Sequence, residues 1–276
     1  MINDYKIICS TWLTNAVKNA YYPISYISLL SQSNCEFVDQ VLLANGQSED
    51  QTYNKHIDIP KINIIETTKW DTNDLSQRCV EQQLKDILNY VSSLNENIIL
   101  TIYCGDMVFT DQFRDELELN LMKLSDDDNY DFFRLPFAKV LTKKYRENIR
   151  HIPGEFYTYS AIKFDKKTKW TEIAEKETKL IGNKKNPQQM KVNWNSCPFS
   201  YETWFHSKEM LFEKAKNHFE WNSNWSLDEI LGISLKKLSI HGKIEMKDKD
   251  HPIEIQPLLP ILNEDHLGYS FFDRLL

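Results

Sequence analysis

Four short apolar runs in the first 110 residues predict four buried β-strands. They are "YKIIC" (5–9), "FVDQVLLA" (37–44), "INIIE" (62–66) and "NIILTIY" (97–103). The last run is almost wholly apolar, which is typical of a central strand that is covered on both faces. Helix-like segments follow the first and third runs, and this order favours a mostly parallel sheet with helices on its faces. The predicted fold class is therefore α/β.

The strongest helical pattern lies between the third and fourth strands. In "DLSQRCVEQQLKDILNYVSSL" the apolar positions recur with a period near 3.6, and Asp74 is placed to cap the start of the helix. The second half of the chain is less regular. It contains a predicted helix in "QFRDELELNLMKL", two aromatic-rich strands in 130–140 and 155–165, a polar loop in "KETKLIGNKKNPQQMK", and helices in 201–221 and 226–240.

The composition and the spacing of the cysteines disfavour several classes of protein. A net charge of −7 disfavours nucleic acid as a partner, because such binding depends on Lys and Arg neutralising phosphates. The five cysteines are widely spaced, so they predict neither a disulfide framework nor a zinc site and fit a reducing, cytoplasmic location. The first residues show no signal-peptide pattern, and no apolar run is long enough for a transmembrane helix.

Two polar loops are the candidate sites. Asn45-Gly46 follows the second strand, and Gly105-Asp106 follows the fourth. Taken singly, each loop is an ordinary turn, since Asn, Asp and Gly are favoured there for local reasons. Both loops follow parallel strands, however, and the carboxyl ends of parallel strands open on the same edge of the sheet, where ligands bind. The sequence therefore predicts one shared site.

The order of these features resembles the GT-A glycosyltransferases, and their family 2-like group in particular. The matching stretches are "IICSTWLTN", the loop 45–52, the pair Arg78-Cys79, and the metal motif at 104–107. This resemblance covers residues 5–109. No obvious linker divides the chain, so residues 1–276 are predicted to form one domain. The resemblance implies a GT-A fold for it, in which 1–110 binds the nucleotide sugar and 111–276 binds the acceptor.

The resemblance also implies the reaction. A sugar would pass from a nucleotide-diphosphate donor to an acceptor hydroxyl, with inversion and with Mn²⁺ or Mg²⁺ at the diphosphate. The acceptor is left open between a glycan, a lipid-linked molecule and a protein. A divalent ion of this kind prefers carboxylate and phosphate oxygens, and it stabilises the charge that builds on the leaving group.

The site residues are implied position by position. Thr11 would line the nucleoside pocket, Asn45 and Asp50 would flank the base and ribose, and Arg78 would offer a planar fork to the base or diphosphate. Asp106 would hold the metal. Asn45 itself departs from the family pattern, since the family commonly has Asp at that position.

A second departure concerns the metal motif. Cys104 replaces the first Asp of that motif, and a thiol is a poor ligand for Mg²⁺ because sulfur is soft. Asp106 is therefore the one strong metal candidate in this stretch.

An inverting transfer also needs a general base for the acceptor hydroxyl. Glu202 and Asp228 are the candidates, since each opens a predicted helix, and Glu202 has aromatic residues beside it. Three other interpretations stay open at this point: a nucleotidyltransferase, a catalytically degenerate GT-A domain that only binds, and a two-carboxylate glycosidase. The sequence lacks the G-x-G-T-R opening that a nucleotidyltransferase would be expected to have. The order of strands and loops disfavours a glycosidase only mildly.

Overall fold

The structure is a computed structural model. It describes residues 1–17, 22, 24–69, 78–135, 138–140, 160–164, 170–173, 180–182, 187–196 and 198–201. The two helices predicted after residue 200 lie outside the described residues, apart from Tyr201. The division of the chain into a donor half and an acceptor half therefore stays a prediction.

The centre of the fold is a six-stranded sheet with the order β3-β2-β1-β4-β8-β6. The first four strands in the chain are mutually parallel, whereas β8 runs antiparallel to both of its neighbours. The mostly parallel sheet confirms the predicted α/β fold class. The strands are β1 (Lys6–Leu13), β2 (Gln40–Asn45), β3 (Ile62–Glu66), β4 (Ile98–Ile102), β6 (Phe132–Arg134) and β8 (Ser160–Phe164).

Helices cover both faces of this sheet, because side chains on a strand alternate between the faces. The apolar stripe of α3 packs on one face with Ile8, Leu42 and Leu100, while α1 and α4 pack on the other face with Ile7 and Cys9. Thr110 caps α4 by accepting a hydrogen bond from the backbone N–H of Phe113. Within the described residues the helices are α1 (Ile24–Ser33), α2 (Thr52–His56), α3 (Arg78–Ser93) and α4 (Asp111–Asp126).

The part of the chain that the structure describes also contains two smaller sheets. One has the order β5-β11-β7 and the other pairs β10 with β9. The predicted polar loop 176–191 was wrong in part, because β10 lies within it and pairs with β9. The strand forms by pairing with another segment of the chain, so the polar composition of residues 176–191 alone does not predict it. The strands are β5 (Met107–Val108), β7 (Ala138–Val140), β9 (Trp170–Ile173), β10 (Leu180–Gly182) and β11 (Phe199–Tyr201).

Within the described part of the chain, no helix combines the length and the apolar character that crossing a membrane requires. Among the cysteines whose side chains the structure describes, Cys9 and Cys35 are buried, Cys104 is partly exposed, and all three are free thiols. Burial raises the pKa of the Cys9 thiol to about 12, so this group is an inert part of the core.

Candidate functional site

The two predicted loops lie side by side at the carboxyl end of β1. The backbone N–H of Gly46 donates to the carbonyl oxygen of Leu13 at 3.0 Å. The side chain of the same residue lies against Gly105, because a Cβ added to Gly105 would overlap Leu13 Cδ2. Leu13 therefore touches both the loop after β2 and the turn after β4, as expected for loops that follow parallel strands.

Side-chain hydrogen bonds join the loop after β2 to the loop after β1. Asn45 Oδ1 accepts from the Ser48 hydroxyl at 2.5 Å, and that hydroxyl oxygen accepts from the backbone N–H of Asn15 at 2.9 Å. Asn15 Oδ1 in turn accepts from the backbone N–H of Glu49 at 2.8 Å. Asn15 and Gln47 have positive φ angles of 49° and 54°. Positive φ is uncommon outside glycine, so this network holds both loops in an unusual backbone path.

Asp50 shapes the start of α2. Its Oδ1 accepts from the backbone N–H of Thr52 at 2.8 Å and from the Thr52 hydroxyl at 2.5 Å. The Thr52 oxygen also accepts from the buried backbone N–H of Ala16 at 2.7 Å. The carboxylate thus links the two loops through Thr52, and its contact with a ribose remains a prediction.

His56 fastens α2 to α1 beneath these loops. Its Nδ1 lies 2.6 Å from the Thr52 carbonyl oxygen, which can only accept, so Nδ1 carries the proton. Its Nε2 therefore accepts from the Ser25 hydroxyl at 2.9 Å. Burial lowers the pKa of His56, although the bond to the Thr52 carbonyl and the nearby Asp50 act in the opposite direction. The imidazole is neutral and structural.

A third strand end joins the site, and the sequence interpretation missed it. The Asn45 amide Nδ2 donates to Glu66 Oε1 at 2.7 Å. The next residue, Thr67, donates to the Asn45 carbonyl from its backbone N–H at 2.9 Å and from its hydroxyl at 3.0 Å. Gln83 on α3 holds the following residue by donating to the Thr68 carbonyl at 2.6 Å. The sequence did contain one indication of this residue, because the predicted strand "INIIE" ends in a carboxylate, at the same sheet edge as the two loops.

The turn after β4 lies over a buried hydroxyl. Thr11 is fully buried, and its Oγ1 has no hydrogen-bond partner among the described residues. The position of a Cβ on Gly105 is 3.7 Å from that oxygen. Asp106 is partly buried, and its Oδ1 is shielded from solvent. An orphaned buried hydroxyl costs about 1–3 kcal/mol, which a bound ligand or water would offset.

The turn itself is held from below. The backbone N–H of Met107 donates to the Cys104 carbonyl at 3.1 Å, and the Ser28 hydroxyl of α1 donates to the Met107 carbonyl at 2.5 Å. Met107 then begins β5, so Asp106 stands where the chain leaves the large sheet for a smaller one. Its carboxylate is thereby placed at the border of the two sheets.

The described donor set fits a divalent ion only in part. Among the described residues, no group of three or more His, Cys, Asp or Glu side chains is placed to hold a metal. Asp106 supplies one hard oxygen ligand, whereas the neighbouring Cys104 supplies a soft thiol. Mg²⁺ is commonly held by one or two carboxylates with water and substrate phosphates, so an ion here would depend on the diphosphate for most of its ligands.

The structure does not describe the side chains of three predicted site residues. Arg78 is the first residue of α3, but its side chain is not among those described. Glu202 and Asp228 lie outside the described residues. The structure therefore brings Thr11, the 45–52 loop and Asp106 together, and the remaining assignments stay predictions.

No protein-family model matches the sequence, and no curated protein matches it either. Among solved structures, the chain is similar to S. aureus TarS 1-349 in complex with UDP-GlcNAc, with 11% identity and a TM-score of 0.44 over 87% of this chain and 76% of that one. It is similar to 4-diphosphocytidyl-2C-methyl-D-erythritol synthase from Anaerococcus prevotii, with 11% identity and a TM-score of 0.39 over 60% of this chain and 72% of that one.

A cytidylyltransferase from Leptospira borgpetersenii shares 13% identity, with a TM-score of 0.34 over 49% of this chain. This chain spans only 57% of the length of that enzyme. All three TM-scores are below 0.5 and all three identities are below 25%, so these likenesses assign neither an activity nor a ligand to this chain.

Proposed function

We propose that this protein is a glycosyltransferase that takes a sugar from a nucleotide-diphosphate donor and passes it, with inversion, to an acceptor hydroxyl. The observation that carries the proposal is the position of Leu13, whose carbonyl oxygen accepts from Gly46 and whose side chain lies against Gly105. This contact brings a polar loop and a carboxylate to one edge of a parallel sheet, where α/β folds bind ligands.

The chemistry of that edge suits a nucleoside diphosphate. The buried Thr11 hydroxyl offers a hydrogen bond to a ligand group that reaches under the turn. Asp106 would hold Mn²⁺ or Mg²⁺ together with the diphosphate oxygens. The ion would neutralise the charge that develops on the leaving diphosphate, which is the step that most needs electrostatic stabilisation. Glu202 or Asp228 would accept the proton of the acceptor hydroxyl.

A second candidate function is a binding domain of the same fold that has lost catalysis. It is favoured by Cys104 in the metal motif and by the lack of a described cluster of metal ligands. Such a domain would bind a nucleotide without needing a metal and would release no product.

The test combines binding with turnover. Thermal unfolding is measured with UDP-, GDP- and CDP-sugars, with and without Mn²⁺, because a ligand that binds only the folded state raises Tm by mass action. Donor hydrolysis then reports chemistry even when the acceptor is unknown. We expect metal-dependent stabilisation by a nucleotide sugar together with release of nucleoside diphosphate. Stabilisation without metal dependence and without release would favour the binding domain instead.

Asp106→Ala is the decisive variant. We expect it to lower donor hydrolysis by about 100-fold or more, since it removes the ligand that fixes the ion at the leaving group. Asp115→Ala is the matched control, because Asp115 is an exposed carboxylate on α4. Hydrolysis that is equal in both variants would refute the metal assignment.

A further inference from the structure

The side chain of Asn45 has a fixed orientation. Its Oδ1 accepts from the backbone N–H of Ser48 at 3.3 Å and from the Ser48 hydroxyl at 2.5 Å, while Nδ2 donates to Glu66 Oε1 at 2.7 Å. A backbone N–H only donates and a carboxylate only accepts, so the amide cannot be turned around. Asn45 is also only 3% exposed. Its carbonyl oxygen is therefore already used and offers nothing to a ligand.

Glu66 is the neighbouring group that does face outward. The strand registers pair Leu13 with Asn45 and Asn45 with Glu66, so these three residues form one row across the carboxyl ends of β1, β2 and β3. Glu66 is exposed. One of its carboxylate oxygens is engaged by Asn45, and among the described residues the other makes no hydrogen bond. An acceptor thus stands at the rim of the edge formed by the two loops.

We propose that Glu66 is the residue that selects the nucleobase, and that it selects a base with a ring N–H, which means uracil or guanine. This inference rests on the proposed function. A carboxylate only accepts hydrogen bonds, so it matches the ring N–H of uracil or guanine and opposes the ring lone pair that cytosine presents at the same position. Such a charge-assisted bond is stronger than a neutral one.

The Glu66→Gln substitution inverts this preference. The Gln Oε1 would still accept from Asn45, so the amide NH₂ would take the outward place and offer a donor instead of an acceptor. Dissociation constants for UDP, GDP and CDP are measured by titration calorimetry on the full chain. We expect the wild type to bind UDP or GDP about tenfold or more tightly than CDP, and the variant to lose most of that preference.

Glu36→Gln is the matched control, because Glu36 is exposed and precedes the start of β2, at the opposite end of the sheet. Both variants should keep the Tm of the wild type in the absence of nucleotide. If the wild type binds UDP or GDP and Glu66→Gln keeps the same preference, the inference fails while the proposed function stands. A wild type that prefers CDP also overturns it. If no nucleotide binds the wild type, the proposed function fails with it.

Discussion

The loop after β2 and the turn after β4 meet at the same residue, Leu13, but close packing is most evident in the turn. The loop 45–52 is fixed by hydrogen bonds between side chains and backbone groups of two segments. The turn 103–107 combines the hydrogen bonds of Met107 with close packing, since the ring centroids of Tyr103 and Phe109 are 4.7 Å apart and Gly105 lies against Leu13. The first region should therefore tolerate little loss of polar atoms, and the second little gain of volume.

This difference has a physical cause. A hydrogen bond between buried groups joins one donor to one acceptor. Removing either group leaves the other without a hydrogen-bond partner, because water does not reach it. Packing contacts are spread over many atoms, so a neighbour that yields can recover part of the loss. Substitutions in the two regions should therefore behave differently when they are combined with changes in their neighbours.

The largest effect is expected for Thr52→Val in the polar loop. Valine has nearly the same shape but no hydroxyl, so the buried N–H of Ala16 loses its acceptor and Asp50 loses a donor. We expect a loss of about 2–3 kcal/mol in the free energy of unfolding, measured by urea denaturation. Thr68→Val is the control, since Thr68 is exposed and should change stability by less than about 0.5 kcal/mol. Equal losses in both variants would contradict the role of the Thr52 hydroxyl.

A smaller effect is expected for Gly105→Ala in the packed turn. The new methyl would overlap Leu13 Cδ2, the end of a side chain that can move in part. We expect a loss of about 1–2 kcal/mol, and a clearly smaller loss when the same change is made in a Leu13→Ala background. A double-mutant cycle in urea measures this coupling, and strictly additive losses would mean that the steric contact is unimportant.

The smallest effect concerns pH and returns to the polar loop. Burial lowers the pKa of His56, so the unfolded chain binds a proton more readily than the folded one. Neutral His56 makes its full contribution to the free energy of unfolding above its ordinary pKa of 6.5. That contribution falls as the pH drops below 6.5 towards the pKa that His56 has in the folded protein. Between pH 6.5 and 5.5, one such group contributes at most about 1.4 kcal/mol. The contribution of His56 is isolated by measuring how the free energy of unfolding changes with pH in the wild type and in His56→Gln. Identical slopes would refute a lowered pKa for His56.

The strands were predictable in position but not in length. The first apolar run ends at Cys9, whereas β1 continues to Leu13. Ser10 and Thr11 are polar, so the apolar pattern stops there, but both are fully buried and Ser10 donates to the Thr101 carbonyl of β4 at 3.1 Å. A hydroxyl can satisfy itself inside a sheet only when the partner strand is in place, and that information is absent from a local pattern.

The short helix α2 has no apolar pattern of its own for a related reason. Its five residues, Thr52–His56, show no apolar stripe, and its start depends on Asp50 while its end depends on His56 meeting Ser25 of α1. Short helices are marginal by themselves, so tertiary contacts decide whether they form. The two long helices, α3 and α4, were predictable because each carries an apolar stripe of its own.

The sequence by itself determined which strands end in polar loops, and parallel pairing was enough to expect those loops on one edge. Only the tertiary structure decided which partners the polar side chains take. Asn45 meets Glu66 across 21 residues of chain, and Ser25 meets His56 across 31. These pairs follow from strand register and helix docking, which are set by burial over the whole core. The composition of a loop therefore indicates a site, but its hydrogen-bond partners depend on segments that only folding brings together.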